Sequence, residues 1–461
     1  MKRWRVLACG LCAALLVLGW VAPAWAFCGF YVSKADTTLF NKASQVAIAR
    51  DGQRTVITMA NDVSGDIKDF AVVVPVPMVL KQEQVHVGDP KVLKRLDAFS
   101  APRLVEYFDA NPCQPPMLYD RIMPTAPAAQ ESFGAAKARS SNALGVTVEA
   151  QFSVGEYDIV VLGAKESNGL ETWLVQNGYK IPRGAAPLFR PYIRQNMKFF
   201  VAKVNLKEFN KAGFEFLRPI QMAYESPKFM LPIRLGMINA GTAQDLVVYI
   251  LSPKGQAEVV NYRTVNVPSD ANVPLFVKSE FGKVYPALFE TAYNREGRNV
   301  VFREYAWNMG NCDPCSADPL TPEELRQAGV FWMDELSQPQ PRPGGRFAPP
   351  WMSNTVFITR LHARYTRDKF PEDLVFQETA NQQNFQGRYV LTHPYKGEMS
   401  CSAGKQYARS LPARFEKEAQ TLANLTGWNI SDIRKKMNLE QPIPVQWWKK
   451  LWNSLFDRYF A

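Results

Sequence analysis

The chain has 461 residues, of which 47% are hydrophobic and 12% aromatic, and its formal net charge is +11. This composition is typical of a globular chain with a real core. The basic residues are scattered without a run of five, so we exclude a nucleic-acid-binding stripe, and the 3 histidines offer few metal ligands.

Residues 1–26 have the three parts of a cleavable secretory signal peptide. After a basic start, Val6–Trp20 is apolar, and small residues at Ala24 and Ala26 mark a signal-peptidase site. The apolar run is shorter than the roughly 20 residues that a membrane-spanning helix needs. We therefore expect cleavage before Phe27 and a periplasmic or extracellular location.

The first mature region, residues 27–120, is predicted to be a β-rich domain. Asp51-Gly52 between two strand-like stretches predicts a hairpin, and the β-branched run that stops at Pro75 predicts a buried strand. Leu93–Phe99 and Arg103–Phe108 are predicted to be short helical turns.

Residues 121–145 are rich in alanine, serine and proline, which predicts a linker. The central region, residues 146–306, is predicted to be an α+β domain. It contains a short helix over Asn168–Gln176 that ends before Gly178. A later helix in this region is expected to carry Pro286 in its first turn.

The cysteine-containing region, residues 307–440, follows. Thr321–Glu324 has the pattern of a capping box with proline at the first helical position, so a helix should begin there. A strand is predicted over Asn354–Tyr365, and helices over Ala413–Thr426 and Ser431–Met437. Because strands outnumber helices and are joined as hairpins, we predict an α+β fold with mainly antiparallel sheets, in two or three domains.

The C-terminal segment, residues 441–461, is predicted to be an amphipathic helix. Its broad apolar arc consists of Trp447, Trp448, Leu451, Trp452, Leu455, Phe456 and Tyr459. Tryptophans beside cations are typical of a helix at a membrane interface, which makes peripheral membrane contact one interpretation. A helix docked on the core needs the same apolar face, and the small number of cations favours docking.

Five cysteines remain after the signal peptide is removed: Cys28, Cys113, Cys312, Cys315 and Cys401. In an oxidising compartment they most simply form two disulfides and leave one thiol. We consider Cys28 with Cys113, and Cys401 with Cys312 or Cys315. The sequence does not choose among the possible arrangements.

The motif Cys312-Asp313-Pro314-Cys315 is the sharpest chemical feature of the chain. Its spacing resembles thioredoxin-type redox centres, in which a helix N-terminus activates the first cysteine. Here the predicted helix starts only at Thr321, so a structural disulfide is favoured. A zinc site made of Cys312, Cys315, His393 and Cys401 is disfavoured, because the spacing of its second half is not standard.

Other candidate catalytic groups have simpler explanations. Asp66 and Asp69 would meet on a helix, but Gly65 and the strand that follows favour a turn. Glu323 and Glu324 are explained by the capped first turn. The histidines His86, His362 and His393 are each isolated in sequence. No hydrolase, phosphate-loop or dinucleotide motif is present, so we predict no catalytic residue and no cofactor.

Several motifs occur in the order of a known family. They are Cys28-Gly29-Phe30, Gly65–Phe70 leading into Val74–Pro77, Cys312–Cys315, and Arg360–Tyr365 with Glu372-Asp373-Leu374. Together they resemble a secreted bacterial family catalogued as domain of unknown function 2330. The resemblance spans most of the mature chain. It implies an exported protein without a demonstrated activity and transfers no catalytic residue.

These observations predict an exported, non-catalytic protein that serves as a binding or envelope-associated scaffold and is stabilised by disulfides. One alternative is a thiol–disulfide redox protein that uses Cys312 and Cys315. Another is an enzyme whose site has no recognisable motif. The sequence does not specify a partner or a ligand.

Overall fold

The computed structural model describes residues 30–33, 40–64, 70–114, 145–177, 185–205, 207–209, 217–238, 243–311, 313, 317–333 and 356–439. Side chains are described from residue 44 onward, with those of residues 61–70 left out. Residues 1–26, predicted to be a signal peptide, and the C-terminal segment 441–461 lie outside these residues.

Strands dominate the part of the chain that the structure describes. They are β1 (Phe30–Ser33), β2 (Phe40–Asp51), β3 (Arg54–Ser64), β4 (Phe70–Val76), β5 (Val85–Val87), β6 (Arg103–Phe108), β7 (Val146–Val154), β8 (Tyr157–Ala164), β9 (Lys198–Val204), β10 (Ile220–Glu225), β11 (Met230–Leu231), β12 (Gln244–Ser252), β13 (Ala257–Val259), β14 (Arg263–Asn266), β15 (Ala271–Asn272), β16 (Val300–Asn308), β17 (Phe357–Tyr365), β18 (Leu374–Glu378), β19 (Phe385–Gln386) and β20 (Arg388–His393). The α-helices are α1 (Pro90–Ser100), α2 (Ser167–Gln176), α3 (Ala186–Arg194), α4 (Val277–Arg295), α5 (Pro322–Gln327), α6 (Ser402–Thr426) and α7 (Ile430–Lys436). Short 3-10 helices lie at Gln82–Gln84 and Arg234–Ile238.

Two large sheets organise these strands. The smaller has five antiparallel strands in the order β1-β4-β9-β8-β7. The larger has nine strands, ordered β14-β16-β17-β12-β2-β3-β10-β5, and β19 pairs with β16. Most of its neighbours are antiparallel, whereas β2–β12 and β14–β16 are parallel. The predicted α+β class with mainly antiparallel sheets is confirmed.

The nine-stranded sheet takes strands from all three regions proposed from the sequence. Strand β2 belongs to the first region, β12 to the central region and β17 to the cysteine-containing region. These three strands are neighbours in the middle of the sheet. Whether the boundaries near residues 120, 146 and 306 mark independent folding units stays a prediction.

Alternation of side chains along β2 shows how the sheets are layered. Val46 and Ile48 face a core that also contains residues of the five-stranded sheet, including Val74 and Phe200. Ala47 and Ala49 face the opposite side, where helix α1 packs. Because successive residues of a strand point to opposite faces, one strand supplies two cores. The two large sheets therefore form a sandwich.

Helices cover both outer faces of this sandwich. Helices α2 and α3 pack on the five-stranded sheet through Leu170, Leu174 and Phe189. Helices α1 and α5 cover part of the nine-stranded sheet, and α4 covers its β16 end together with α6 and α7. The helices thus shield much of the outer face of the nine-stranded sheet, while His86 at its β5 edge is exposed.

Most local predictions agree with these elements. The hairpin at Asp51-Gly52 joins β2 to β3, and Gly52 has a positive φ of 56°. Helix α5 has the expected capping box, in which Thr321 Oγ1 accepts from Glu324 N and Thr321 N donates to Glu324 Oε2. The predicted helix over Asn168–Gln176 and strand over Asn354–Tyr365 correspond to α2 and β17.

Three local predictions were wrong. Arg103–Phe108 is strand β6, not a helical turn, because it pairs in parallel with β20, nearly 300 positions later. Pro286 lies inside α4 instead of in its first turn, since the helix begins at Val277. Helix α6 begins at Ser402, well before the predicted start at Ala413, because the Cys401 side chain caps it.

Two glycines, Gly329 and Gly282, differ in backbone conformation and packing, and substituting each with alanine tests the fold around α5 and α4. Gly329 follows α5 with a φ of 91°, and a Cβ there would lie 2.5 Å from Val56 Cγ1. Gly282 lies exposed inside α4 with open space around its Cα. Urea unfolding should therefore show Gly329→Ala losing about 1–3 kcal/mol. Gly282→Ala should gain about 0.5–1 kcal/mol, and equal effects would contradict the assignment.

Candidate functional site

Strand β17 carries three cationic side chains at alternate positions. Arg360, His362 and Arg364 share one face of the strand, whereas Leu361 and Ala363 point into the core of the sandwich. The three cations therefore face the helical layer. A buried charge is costly unless it is paired, so this face requires acidic partners.

Neighbouring strands supply most of those partners. On β12, Asp245 lies opposite Arg364 and Tyr249 lies opposite Arg360. On β16, the pairing with β17 shifts register between Arg303 and Tyr305, which makes Glu304 the extra residue of a β-bulge. Bulges redirect side chains. Here the bulge brings the Glu304 carboxylate to the cations of β17.

Glu304 is the most enclosed member of the group, with 0% of its surface exposed. Its carboxylate accepts hydrogen bonds from Arg360 Nε at 2.6 Å and from the Tyr285 hydroxyl of α4, and it lies 2.7 Å from His362 Nδ1. Burial alone would raise the pKa of Glu304. The charges of His362 and Arg360 outweigh burial and lower this pKa to about 2.

Asp245 holds the other side of the histidine. Its carboxylate lies 3.2 Å from His362 Nε2 and accepts two hydrogen bonds from Arg364, each 2.8 Å long. Burial opposes ionisation of Asp245, but these contacts with His362 and Arg364 lower its pKa overall. Arg364 also donates to Glu290 of α4, so the pairing extends from the sheet to the helix.

His362 lies between the two carboxylates. Burial by itself would lower its pKa, but attraction by Glu304 and Asp245 raises the pKa to about 9. The imidazole is therefore protonated at neutral pH, and each ring nitrogen donates to one carboxylate. The Phe289 ring stacks on the imidazole with centroids 4.0 Å apart, which covers one face of the ring.

Arg360 links Glu304 to helix α1. Its Nη1 donates to Asp97 Oδ1 at 2.7 Å, and the Tyr249 hydroxyl donates to the same oxygen at 2.8 Å. Burial opposes the Arg360 charge, but Tyr249, Glu304 and Asp97 favour it and raise the pKa further above its ordinary value. We define the buried ionic cluster as Asp245, Glu304, Arg360, His362 and Arg364; Asp97, whose side chain is 40% exposed, lies at its edge.

The pH dependence of stability should reflect this cluster. Folding raises the pKa of His362 from 6.5 to about 9, so its stabilising contribution is complete below pH 6.5 and is lost as the pH rises through 9. Folding lowers the pKa of Glu304 from 4.5 to about 2, so its contribution is lost as the pH falls below 4.5. Urea unfolding across pH should show both declines. A constant free energy of unfolding between pH 6.5 and 9 would contradict the assignment for His362.

A second buried carboxylate, Asp373, joins separate parts of the structure. Its Oδ1 accepts from Tyr192 Oη of α3 at 2.6 Å, from Ile233 N at 2.8 Å and from Arg234 N at 3.1 Å. Arg234 Nε lies 3.5 Å from Oδ2. Burial raises the pKa of Asp373 against the effect of these contacts. Asp373 thus acts as a structural acceptor between α3 and the segment that leads into β18.

The structure corrects both cysteine pairings considered from the sequence. Cys113 is bonded to Cys401, 288 positions later in the chain. The earlier pairings grouped cysteines by region, but β6 and β20 are neighbours, and their C-terminal ends bring these two cysteines together. Cys28, Cys312 and Cys315 lie outside the described residues.

The residues of the zinc hypothesis have other partners where the structure describes them. The Cys401 sulfur is in the disulfide, and His393 Nε2 lies 2.8 Å from Glu106 Oε2. The His393 ring also stacks on Phe108. Across the described residues, no group of three His, Cys, Asp or Glu side chains is arranged to hold a metal ion.

Asp313 is the residue of the Cys312–Cys315 motif that the structure describes. Asp313 Oδ2 accepts from Tyr305 Oη and from Gln386 Nε2, each at 2.9 Å. The helix that follows begins at Pro322. The middle of the motif is therefore attached to the nine-stranded sheet.

The remaining candidates are distributed as follows. His86 is exposed on β5, and Glu323 and Glu324 form the first turn of α5. Asp66, Asp69 and the C-terminal aromatic residues lie outside the described residues, so the predicted turn and the predicted membrane contact stay predictions. Among the described helices, none combines the length and apolarity needed to cross a membrane.

Sequence reasoning named His362 but missed its partners. Asp245 and Glu304 come from strands that are distant in sequence, so no spacing motif connects them to β17. One local signal was available: Arg360, His362 and Arg364 alternate with apolar residues, and three cations on one face of a strand imply buried acids.

These observations define the class of protein. It is an α+β sandwich with outer helices, a long-range disulfide and a buried cluster of ionisable side chains. Residues 22–377 match the family described as "Uncharacterized protein conserved in bacteria (DUF2330)", and the chain belongs to that family. Neither the curated proteins nor the solved structures contain a significant match.

Proposed function

We propose that this protein is an exported, non-catalytic scaffold that binds a partner or associates with the cell envelope. The observation that carries the proposal is the pairing of the ionisable groups of the buried ionic cluster with one another. Both ring nitrogens of His362 contact carboxylates, Phe289 covers one face of its ring, and Glu304 is fully buried.

A catalytic acid or base must reach a proton on its substrate. His362 and Glu304 instead use their hydrogen-bonding atoms on each other and on Arg360, Asp245 and Tyr285. The groups with strongly shifted pKa values therefore connect β12, β16 and β17 to the helices. Perturbed pKa values also arise in structural ion-pair networks, and this geometry supports that origin.

Two features support the exported location. Residues 1–26 have the composition of a signal peptide. The Cys113–Cys401 disulfide is of the kind that persists in oxidising compartments and is rare in the cytosol.

Expression of the full chain and of a variant lacking residues 2–26 in a bacterial host tests the location. We expect the full chain to be found outside the cytoplasm, to begin at Phe27 and to contain the Cys113–Cys401 disulfide by peptide mass spectrometry. The shortened variant should stay in the cytoplasm with both thiols reduced. An unprocessed full chain in the cytoplasm would overturn the exported location.

The non-catalytic role needs a separate measurement. His362→Gln and Glu304→Gln should reduce partner binding only in proportion to the folded fraction, since the cluster acts through stability. The partner would first be identified by cross-linking in fractionated cells. A well-folded variant that turns over a substrate more slowly than the unmodified protein would show that the cluster is an active site.

A further inference from the structure

The disulfide occupies a particular position at the start of the longest described helix. Cys401 is the N-cap of α6, a helix of 25 residues, and its sulfur accepts a hydrogen bond from Gly404 N at 3.2 Å. The first turn of α6 contains no acidic residue, and Lys405 is exposed there. Cys113 is exposed, whereas Cys401 is half-buried.

This position would stabilise a thiolate at Cys401 if the bond opened. Backbone N–H groups and the positive end of the helix dipole favour a negative charge at an N-cap. They lower the pKa of a thiol located there. A sulfur with a low thiol pKa is also the better leaving group in thiol–disulfide exchange. The two sulfurs are thus chemically unequal, because Cys113 is not at a helix terminus.

We propose that Cys113–Cys401 is a redox-active disulfide that exchanges with an external dithiol, with Cys401 as leaving group and resident thiolate. This goes beyond the proposed scaffold role, which needs the bond only as a cross-link. The reductant is a dithiol.

Exchange proceeds in two steps. A thiolate of the dithiol attacks the Cys113 sulfur, the Cys113–Cys401 bond breaks, and its electron pair leaves on Cys401. The second thiol of the reductant loses its proton and attacks the mixed disulfide, which releases Cys113 as a thiol after it takes up a proton. The dithiol is oxidised to a disulfide, and the protein gains two electrons.

Contacts other than the disulfide also join the two segments that carry the cysteines. Asp109, just after β6, accepts from Tyr407 Oη and Arg414 Nη1 of α6, both at 2.6 Å. Asp109 N also donates to His393 O at 2.9 Å. The two segments that carry the cysteines therefore stay together when the bond opens, so the thiols remain close enough for reoxidation.

Close packing at Gly404 adds a second observation. A Cβ at this position would lie 3.0 Å from Cys113 Sγ and 2.9 Å from Met399 Cα. The absence of a side chain lets the disulfide lie directly against the first turn of α6.

Differential alkylation of the full chain tests the proposal. The native protein is treated with dithiothreitol and quenched, and each cysteine is followed on its own peptide, so that Cys28, Cys312 and Cys315 do not interfere. We expect the Cys113–Cys401 bond to be reduced without denaturant and with an unchanged circular dichroism spectrum. Reduction that requires denaturant would overturn the proposal.

The pH dependence of alkylation in the reduced protein supplies a second measurement. Cys401 should reach half-maximal reactivity below about pH 7.5. Cys113 should reach it at about pH 8.5, the ordinary pKa of a cysteine thiol. Lys405→Glu places an acid in the first turn of α6 and should raise the pH at which Cys401 reaches half-maximal reactivity. The exposed Lys417 lies far from that turn, so Lys417→Glu is the matched control and should leave it unchanged. Equal values for Cys113 and Cys401 would refute the assigned roles.

Discussion

His362→Gln is expected to lower the free energy of unfolding by about 3–5 kcal/mol at pH 6, the cost of breaking a buried ion pair by removing one partner. Glutamine fills part of the same space but carries no charge. Glu304 and Asp245 would then lose the cation that lies between them, while both remain buried. Urea unfolding followed by tryptophan fluorescence measures the change.

The matched control for this variant is His86→Gln, because His86 is exposed on β5. An exposed substitution should alter stability by no more than about 0.5 kcal/mol. The difference between the unmodified protein and His362→Gln should narrow above pH 9, where the native histidine also loses its proton. A His362→Gln variant as stable at pH 6 as the His86→Gln control would refute the structural role of the cluster.

Asp373→Ala is expected to lower the free energy of unfolding by about 2–4 kcal/mol, since buried donors left without an acceptor each cost about 1–3 kcal/mol. The Tyr192 hydroxyl and the Ile233 N–H both donate to Asp373, and both residues are 0% exposed. Part of the loss is offset because the buried carboxylate is itself costly, as its raised pKa indicates. Chemical unfolding monitored by circular dichroism gives the value.

Glu372→Ala serves as the control for Asp373→Ala, because the neighbouring Glu372 is exposed. It should change stability by less than about 0.5 kcal/mol. Asp373→Asn keeps one carbonyl acceptor and should recover part of the loss. If Asp373→Ala and Glu372→Ala had similar small effects, Asp373 would not be the connection between α3 and β18 that its contacts indicate.

Elements with local signals were predictable from the sequence. Turn chemistry identified the hairpin at Asp51-Gly52, and the capping box identified α5. The prediction for Arg103–Phe108 was wrong because a short apolar segment does not reveal whether its period is that of a helix or a strand. This segment is a strand because it pairs with β20. The early start of α6 was missed because cysteine is not among the usual capping residues.

The candidate site was less predictable than the fold. Its cations are local to β17, but Asp97, Asp245 and Glu304 come from three other elements. Glu304 also depends on a bulge in β16, and a register shift has no composition signal of its own. The Cys113–Cys401 bond was unpredictable for the same reason, since it follows from the neighbouring ends of β6 and β20.

The parallel pairing of β2 with β12 has a consequence for the chain while it is being synthesised. The two strands are separated by roughly 200 residues, which at 5–20 residues per second takes roughly 10–40 s to synthesise. During that interval the β2–β3 hairpin has an unpaired edge and lacks its sheet neighbour. A growing chain in this condition is prone to aggregate. A holdase that covers nascent β2 would protect the chain until β12 emerges.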